Sequence, residues 1–133
     1  MTDTFILSFE KIQPSQLYIS RSKLDRIQAL FEIGTQNELE PIPVKEIDGE
    51  LVSTDGHTRG LAWHLRGYKE VQVEWEDTEM DWNAYRICVK WCKQVGITSI
   101  PDLAPWIINH DEYEILWLKR CRIMQEDLES KRA

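Results

Sequence analysis

Cysteine is scarce in this chain, three in 133 residues, and an odd number argues against a disulfide scaffold and for a reducing, cytoplasmic setting. No apolar run approaches the roughly 20 residues that a membrane-spanning helix needs. The N-terminal Met-Thr-Asp-Thr-Phe-Ile-Leu lacks the basic flank and apolar core of a signal peptide. Basic runs are missing until the last few residues, and 16 bases stand against 23 acids, a net charge of −7. Proteins that grip a phosphate backbone carry a basic face, so this balance argues against duplex DNA as the main partner. It leaves room for a small phosphorylated ligand, which one loop and one arginine can hold. Internal repeats, low-complexity tracts, Walker loops, Gly-x-Ser-x-Gly and His-Glu-x-x-His motifs are all lacking.

What is present is the composition of a soluble globular protein, 42% hydrophobic and 29% charged. The pattern predicts one α+β domain over residues 1–133. A small mixed β-sheet with packed helices fills about 1–77, and a helical part about 81–129. Phe5–Phe9 reads as an edge strand. Ser22 with Asp25 reads as a capping box for a helix carrying Leu24, Ile27, Leu30 and Phe31 and ending near Gly34. Residues 35–40 read as a loop. Pro41–Ile47 and Leu51–Thr54 read as strands joined by Asp48-Gly49, a type I′ hairpin turn. A helix to Gly67, a strand Val71–Trp75 and an acidic connector follow. Asp81 then caps a helix whose apolar stripe is Ala84, Ile87, Cys88, Trp91, Cys92 and Val95. Ser99 with Asp102 caps a short helix to Trp106. Asp111 with Glu114 caps the last, striped by Tyr113, Leu116, Trp117, Cys121, Met124 and Leu128.

The densest chemistry lies in Asp55-Gly56-His57-Thr58-Arg59, after a strand and at the start of a helix. The first N–H groups of a helix have no internal acceptor and carry partial positive charge, which suits a phosphate. Thr58 adds a hydroxyl donor and Arg59 a forked pair of N–H donors. For Asp55 two readings stand: a helix N-cap, or a magnesium ligand or base for an incoming hydroxyl. The following Gly67 and the strand from Val71 make the context βαβ-like, in which phosphates sit at the loop.

Other clusters read mainly as packing. Cys88, Cys92, Cys121 and His110 offer a zinc set on paper, but both helix cysteines belong to the apolar stripe. Trp75, Trp91 and Trp117 hold core-type positions; Trp63, Trp82 and Trp106 could instead shape a pocket, but packing is the expected role for most of them. His64, one turn past the motif, reads as a surface helix residue. The C-terminal helix pair suggests a helix-turn-helix, but Asp111, Glu112 and Glu114 argue against a major-groove role.

From about Ile12 to Trp75 the chain resembles the ParB/sulfiredoxin-like superfamily, through a helix, a strand hairpin, a Gly-x-x-Arg-type loop opening a helix, and a following strand. The full Asp-Gly-His-Thr-Arg string most resembles the free serine kinases. So do Asp81-Trp82, Tyr85-Arg-Ile-Cys, Trp91-Cys92, His110, Tyr113-Glu, Leu116-Trp117 and Lys119-Arg-Cys. That resemblance implies a nucleotide-binding phosphotransferase using ATP or ADP with Mg2+ and phosphorylating a small hydroxyl substrate such as free L-serine. It implies catalytic roles for Asp55 and His57, with Asp55 also on Mg2+, and a phosphate-holding run Gly56, Thr58 and Arg59. Lys23 matches a helix lysine that sulfiredoxins place near the nucleotide. Gln16, within Lys11–Gln16, falls where the kinases carry a second catalytic glutamate and would touch the substrate. A glutamine hydrogen-bonds a hydroxyl but does not take its proton. An alignment slip would bring in Glu10 instead. Gln16 therefore keeps open the alternative, a non-catalytic ParB-like nucleotide switch or a DNA-associated, partition- or nuclease-type domain. Sulfiredoxin itself needs a cysteine where His57 stands. The partition proteins carry a more basic loop and a further DNA-binding domain.

Overall fold

Apolar alternation builds the sheet. In the computed structural model, which describes residues 3–132, Ile42 and Val44 on β3 (Ile42–Ile47) and Val71 and Val73 on β5 (Glu70–Trp75) are buried together. The mixed sheet has the order β1–β5–β3–β4, with β1 Thr4–Ser8 and β4 Glu50–Ser53. β5 runs antiparallel to β1 and parallel to β3, and β3 pairs antiparallel with β4. The β3–β4 turn has positive φ at both Asp48 (51°) and Gly49 (83°), as a type I′ turn requires. The βαβ-like context takes a particular form. α2 (His57–Leu65) does not link neighbouring strands: β5 crosses past β4 and inserts between β1 and β3.

Helices cover the sheet: α1 (Arg21–Glu32), α2 and α3 (Trp82–Gln94), then α4 (His110–Tyr113) and α5 (Lys119–Arg132) joined by a π-helical turn Glu114–Leu118. A short parallel pair, β2 (Ile19–Ser20) with β6 (Ile107–Ile108), ties the start of α1 to the C-terminal part. Leu24, Leu61, Cys88, Cys92, Ile100, Leu103, Trp117 and Met124 share one core with the sheet residues. The result is an α+β fold with a mixed sheet, packed helices and a C-terminal helical segment.

Several local expectations are corrected. α1 is capped by Ser20 rather than Ser22, the Ser20 hydroxyl accepting from the Lys23 N–H at 3.4 Å. The edge strand stops at Ser8, and Phe9 turns inward in a 3-10 turn. Within the loop 35–40, Gln36–Glu38 form a 3-10 turn. Asn109, not Asp111, caps α4, accepting from the Glu112 N–H at 2.9 Å. The π turn adds a residue to the helical repeat, so Leu116 rotates outward (41% exposed) while Trp117 stays buried. Trp75 and Val95 end their elements exposed, and His64 is half-buried with its ring edge-on to Phe9. Asp81 caps α3 as expected, accepting from the Ala84 N–H. Asp102 accepts from the Ser99 N–H and hydroxyl.

Ile42 is 1% exposed and touches the heart of the core, whereas Ile33 is 72% exposed. Ile42→Ala should cost about 2–5 kcal/mol in urea unfolding through lost transfer energy and a cavity, and Ile33→Ala within roughly 0.5 kcal/mol. Equal effects at the two positions would contradict this core.

Candidate functional site

β4 delivers the motif to one end of the sheet. The Thr54 N–H donates to the Pro43 carbonyl, Asp55 turns outward exposed, and Gly56 takes a left-handed φ of 75° at the α2 N-cap. Asp55 is therefore not the cap. A Cβ on Gly56 would lie 2.8 Å from Arg59 Nη2 and 3.2 Å from Cζ, so the glycine serves both the conformation and the close approach of the guanidinium. Arg59 Nη2 donates to the Pro41 carbonyl at 3.4 Å, while its Nε is buried with no protein partner. The first-turn N–H groups of α2 have no acceptor within the helix.

His57 is 3% exposed. Its Nε2 accepts from the Ser15 N–H at 3.0 Å and from the Ser53 hydroxyl at 2.9 Å. The Ser15 hydroxyl in turn donates to the Ser53 carbonyl at 2.7 Å. Gln13 bridges β4 through its N–H to the Leu51 carbonyl and its carbonyl to the Ser53 N–H. Burial drives the His57 pKa down to about 4; Asp55 works against that shift and Arg59 adds to it. The ring is thus neutral, with Nε2 the acceptor and the proton on Nδ1, which is buried without a partner.

The facing wall comes from α1 and the helical part. Gln16 donates its amide to the Tyr18 carbonyl at 2.7 Å and to the Tyr113 hydroxyl at 3.3 Å. Lys23 Nζ lies 5.0 Å from the Tyr113 ring centroid. The Tyr113 pKa is pushed up to about 12, first by burial and then by the neighbouring Cys121 and Asp55, so its phenol keeps its proton. Ser20 links the two halves, its hydroxyl 2.9 Å from His110 Nδ1.

Gln16, Lys23, Asp55, Gly56, His57, Thr58 and Arg59 all line one cleft of about 320 Å³. Arg26, Ile27 and Tyr113 complete the lining; none of them is read from the sequence as a site residue. Arg26 lies three residues after Lys23 on α1, a same-face spacing that would have marked it. Tyr113 stands in the sequence only as part of the helix stripe and of the Tyr113-Glu resemblance, and the tertiary fold brings α4 to the loop. Glu10 sits exposed in the 3-10 turn and is not part of the cleft. Lys23, Arg26 and Arg59 outnumber the single Asp55 carboxylate, so an acidic chain presents a locally cationic cleft here. A second chamber of about 200 Å³ adjoins it across Gln16 and His57, lined also by Ser15, Thr54, Tyr85, Cys88 and Cys121. Cys88 and Cys92 lie buried in the core, and no group of metal-ligating residues forms among the described residues.

No protein-family model and no curated protein matches this chain. Among solved structures it is similar to protein Atu1540 from Agrobacterium tumefaciens, at 11% identity and a TM-score of 0.49, covering 74% of this chain and 51% of that one. It is also similar to a Pnob8-like ParB-N domain, at 18% identity and a TM-score of 0.47, covering 67% of this chain and 34% of that one. The matched region thus spans about half of the first structure and a third of the second.

The buried neutral imidazole predicts a pH dependence. Below pH 6.5 the unfolded chain protonates His57 while the folded chain does not, until pH about 4. Stability is therefore level above that window and falls as pH drops through it, by something on the order of 3 kcal/mol. Urea unfolding of wild type and His57→Gln at several pH values checks this. The glutamine variant, with nothing to titrate, should lose less stability across the window.

Proposed function

We propose that the protein binds the phosphates of a nucleotide, ATP or ADP with Mg2+, in the cleft between α1 and the start of α2. The observation that carries this reading is the donor set. Gly56, Thr58 and Arg59 at the start of α2 line one cleft together with Lys23 and Arg26 of α1. Backbone donors at a helix start together with a guanidinium match a phosphate in charge and geometry. Thr58 adds a hydroxyl, and Asp55 is the one carboxylate in the cleft able to reach a metal held chiefly by phosphate oxygens. Bound Mg2+ would neutralise charge on those oxygens.

What the protein does with the nucleotide turns on Gln16. Its amide is committed to Tyr18 and Tyr113, and it cannot accept a proton as a glutamate would. A cleft with a single carboxylate supports a non-catalytic, ParB-like nucleotide switch, in which His57 positions the loop rather than moving protons. Phosphoryl transfer to a small hydroxyl compound such as free L-serine is the second reading. It is favoured by the adjoining chamber, which is of amino-acid size and bordered by Ser15, Thr54 and the Tyr85 hydroxyl. There Asp55 would orient the incoming hydroxyl.

Calorimetric titration with ATP and ADP in the presence of magnesium tests the binding. Arg59→Ala should weaken it by roughly 1.5–3 kcal/mol, the range for a hydrogen bond to a charged group, and Thr58→Val should cost less. Equal affinities for wild type and Arg59→Ala would reduce Arg59 to a structural helix residue.

Incubation with L-serine, nucleotide and magnesium, followed by assay for phosphoserine, separates the two uses. If transfer occurs, Asp55→Asn should abolish it while leaving nucleotide affinity within about tenfold, near 1.4 kcal/mol. Tight binding with no product from either nucleotide would leave the switch and remove the kinase.

A further inference from the structure

A second concavity, about 300 Å³, opens where β3 has not yet begun. In the parallel β3–β5 register Ile42 is level with Val73, so Glu70, Val71 and Gln72 on β5 have no β3 neighbour. The chain before Ile42 leaves the sheet there, and the gap becomes a notch.

One side of the notch is an aromatic corner. The Trp63 and Tyr68 rings stand at 89° with centroids 4.7 Å apart, and Phe31 backs Trp63 edge-on at 4.9 Å. Ile6, Leu39, Pro41 and Val71 supply apolar surface. Glu40 and Glu70 lie at the rim, both exposed, and neither forms an ion pair among the described residues. Arg66, the nearby cation on α2, is held away by Glu32 and Gln28 and lies against Phe31.

We propose that this notch is a binding site for a compact organic cation, an alkylammonium group of about choline or lysine side-chain size. An aromatic ring face attracts a cation through its quadrupole, most strongly where the site is partly desolvated, and the half-exposed Tyr68 ring, packed against Trp63, lines the notch. Two unpaired carboxylates add the same preference and repel phosphates and carboxylates. Apolar surface beside them suits the methyl or methylene groups that an alkylammonium carries. The volume, about 300 Å³, lies at the low end for small-molecule sites. The site is independent of the phosphate cleft. Arg59, bonded to the Pro41 carbonyl, stands between the two, and their charges are of opposite sign.

The test is a titration of the full chain followed by NMR at the Trp63 indole and Tyr68 ring signals, at fixed ionic strength. Three cations are used, choline, n-butylammonium and Nα-acetyl-lysine N-methylamide, with 3,3-dimethylbutan-1-ol as the neutral analogue of choline. Choline should bind about tenfold more tightly than the alcohol, the ratio expected of a cation–π site. Tyr68, 45% exposed, can be changed without opening the core, and Tyr68→Leu should weaken choline binding about fivefold. Glu70→Gln should weaken it about threefold. Preference for the lysine derivative over the free amines would assign the site to a lysine side chain of a protein partner, and the reverse order to a free amine. Equal binding of choline and the alcohol, or no shift at either ring at tens of millimolar cation, overturns the proposal.

Discussion

The imidazole of His57 joins three segments that are far apart in sequence. Its Nε2 takes hydrogens from the Ser15 N–H and the Ser53 hydroxyl, so the loop before β2, the end of β4 and the first residue of α2 meet at one atom. Both partners are buried, and leaving their donors unpaired would cost about 1–3 kcal/mol each. The Ser15 hydroxyl and Gln13 add backbone bonds to the same junction, and the Gln13 amide reaches on to the Ile97 carbonyl at 3.0 Å. This node requires a neutral ring, and burial keeps it neutral by depressing the pKa. The cleft inherits its shape from that constraint. Gln16 follows Ser15, and Asp55 through Arg59 flank the histidine, so neither wall can move without disturbing the imidazole.

Charge in the cleft follows from the same arrangement. The chain is acidic overall at −7, yet α1 directs Lys23 and Arg26 at the spot where α2 offers its first N–H groups and Arg59. The C-terminal helices complete the wall. Ser20 caps α1 and also meets His110, whose Nε2 lies 3.1 Å from the Glu114 carboxylate. Tyr113 then stacks on His110 and sits beneath Lys23. An ammonium over that ring is partly desolvated by it, which strengthens its pull on an anion in the cleft.

Local signals carried much of the fold. Apolar alternation at Val71 and Val73, the Asp48-Gly49 turn and the Asp81 cap are each decided within a few residues, and each appears in the structure. Choices set by tertiary contact were not legible. Ser22 is as good a cap by type as Ser20, but the β2–β6 pairing and the His110 contact place the helix start at Ser20. The π turn has no residue pattern of its own, so the stripe from Tyr113 to Leu128 reads as continuous although Leu116 faces out. Trp75 looks like core because it continues the alternation. It lies at the strand's end, where the Phe5 ring, 5.1 Å away, covers only part of it. For the site, the motif residues converge because they are contiguous, whereas Tyr113 arrives from another element. The depressed His57 pKa was equally hidden, since it depends on burial beneath Ser15 and Ser53 rather than on sequence neighbours.

The position of α2 shapes both cavities at once. Gly60 is buried, and a Cβ there would come within 3.0 Å of Ile42 Cδ1 and 3.4 Å of Ile100 Cγ2. Its lack of a side chain therefore lets the helix sit directly on β3 and the following helical turn. With that depth fixed, the helical repeat leaves little freedom. Arg59, one residue earlier, folds back over Gly56 into the cationic cleft. Trp63, four residues beyond Arg59, stands one turn further along and forms the aromatic wall of the anionic notch. Two neighbouring concavities lined by side chains of opposite charge thus depend on one contact in the core. A displacement of α2 along the sheet would alter the shape of both cavities together.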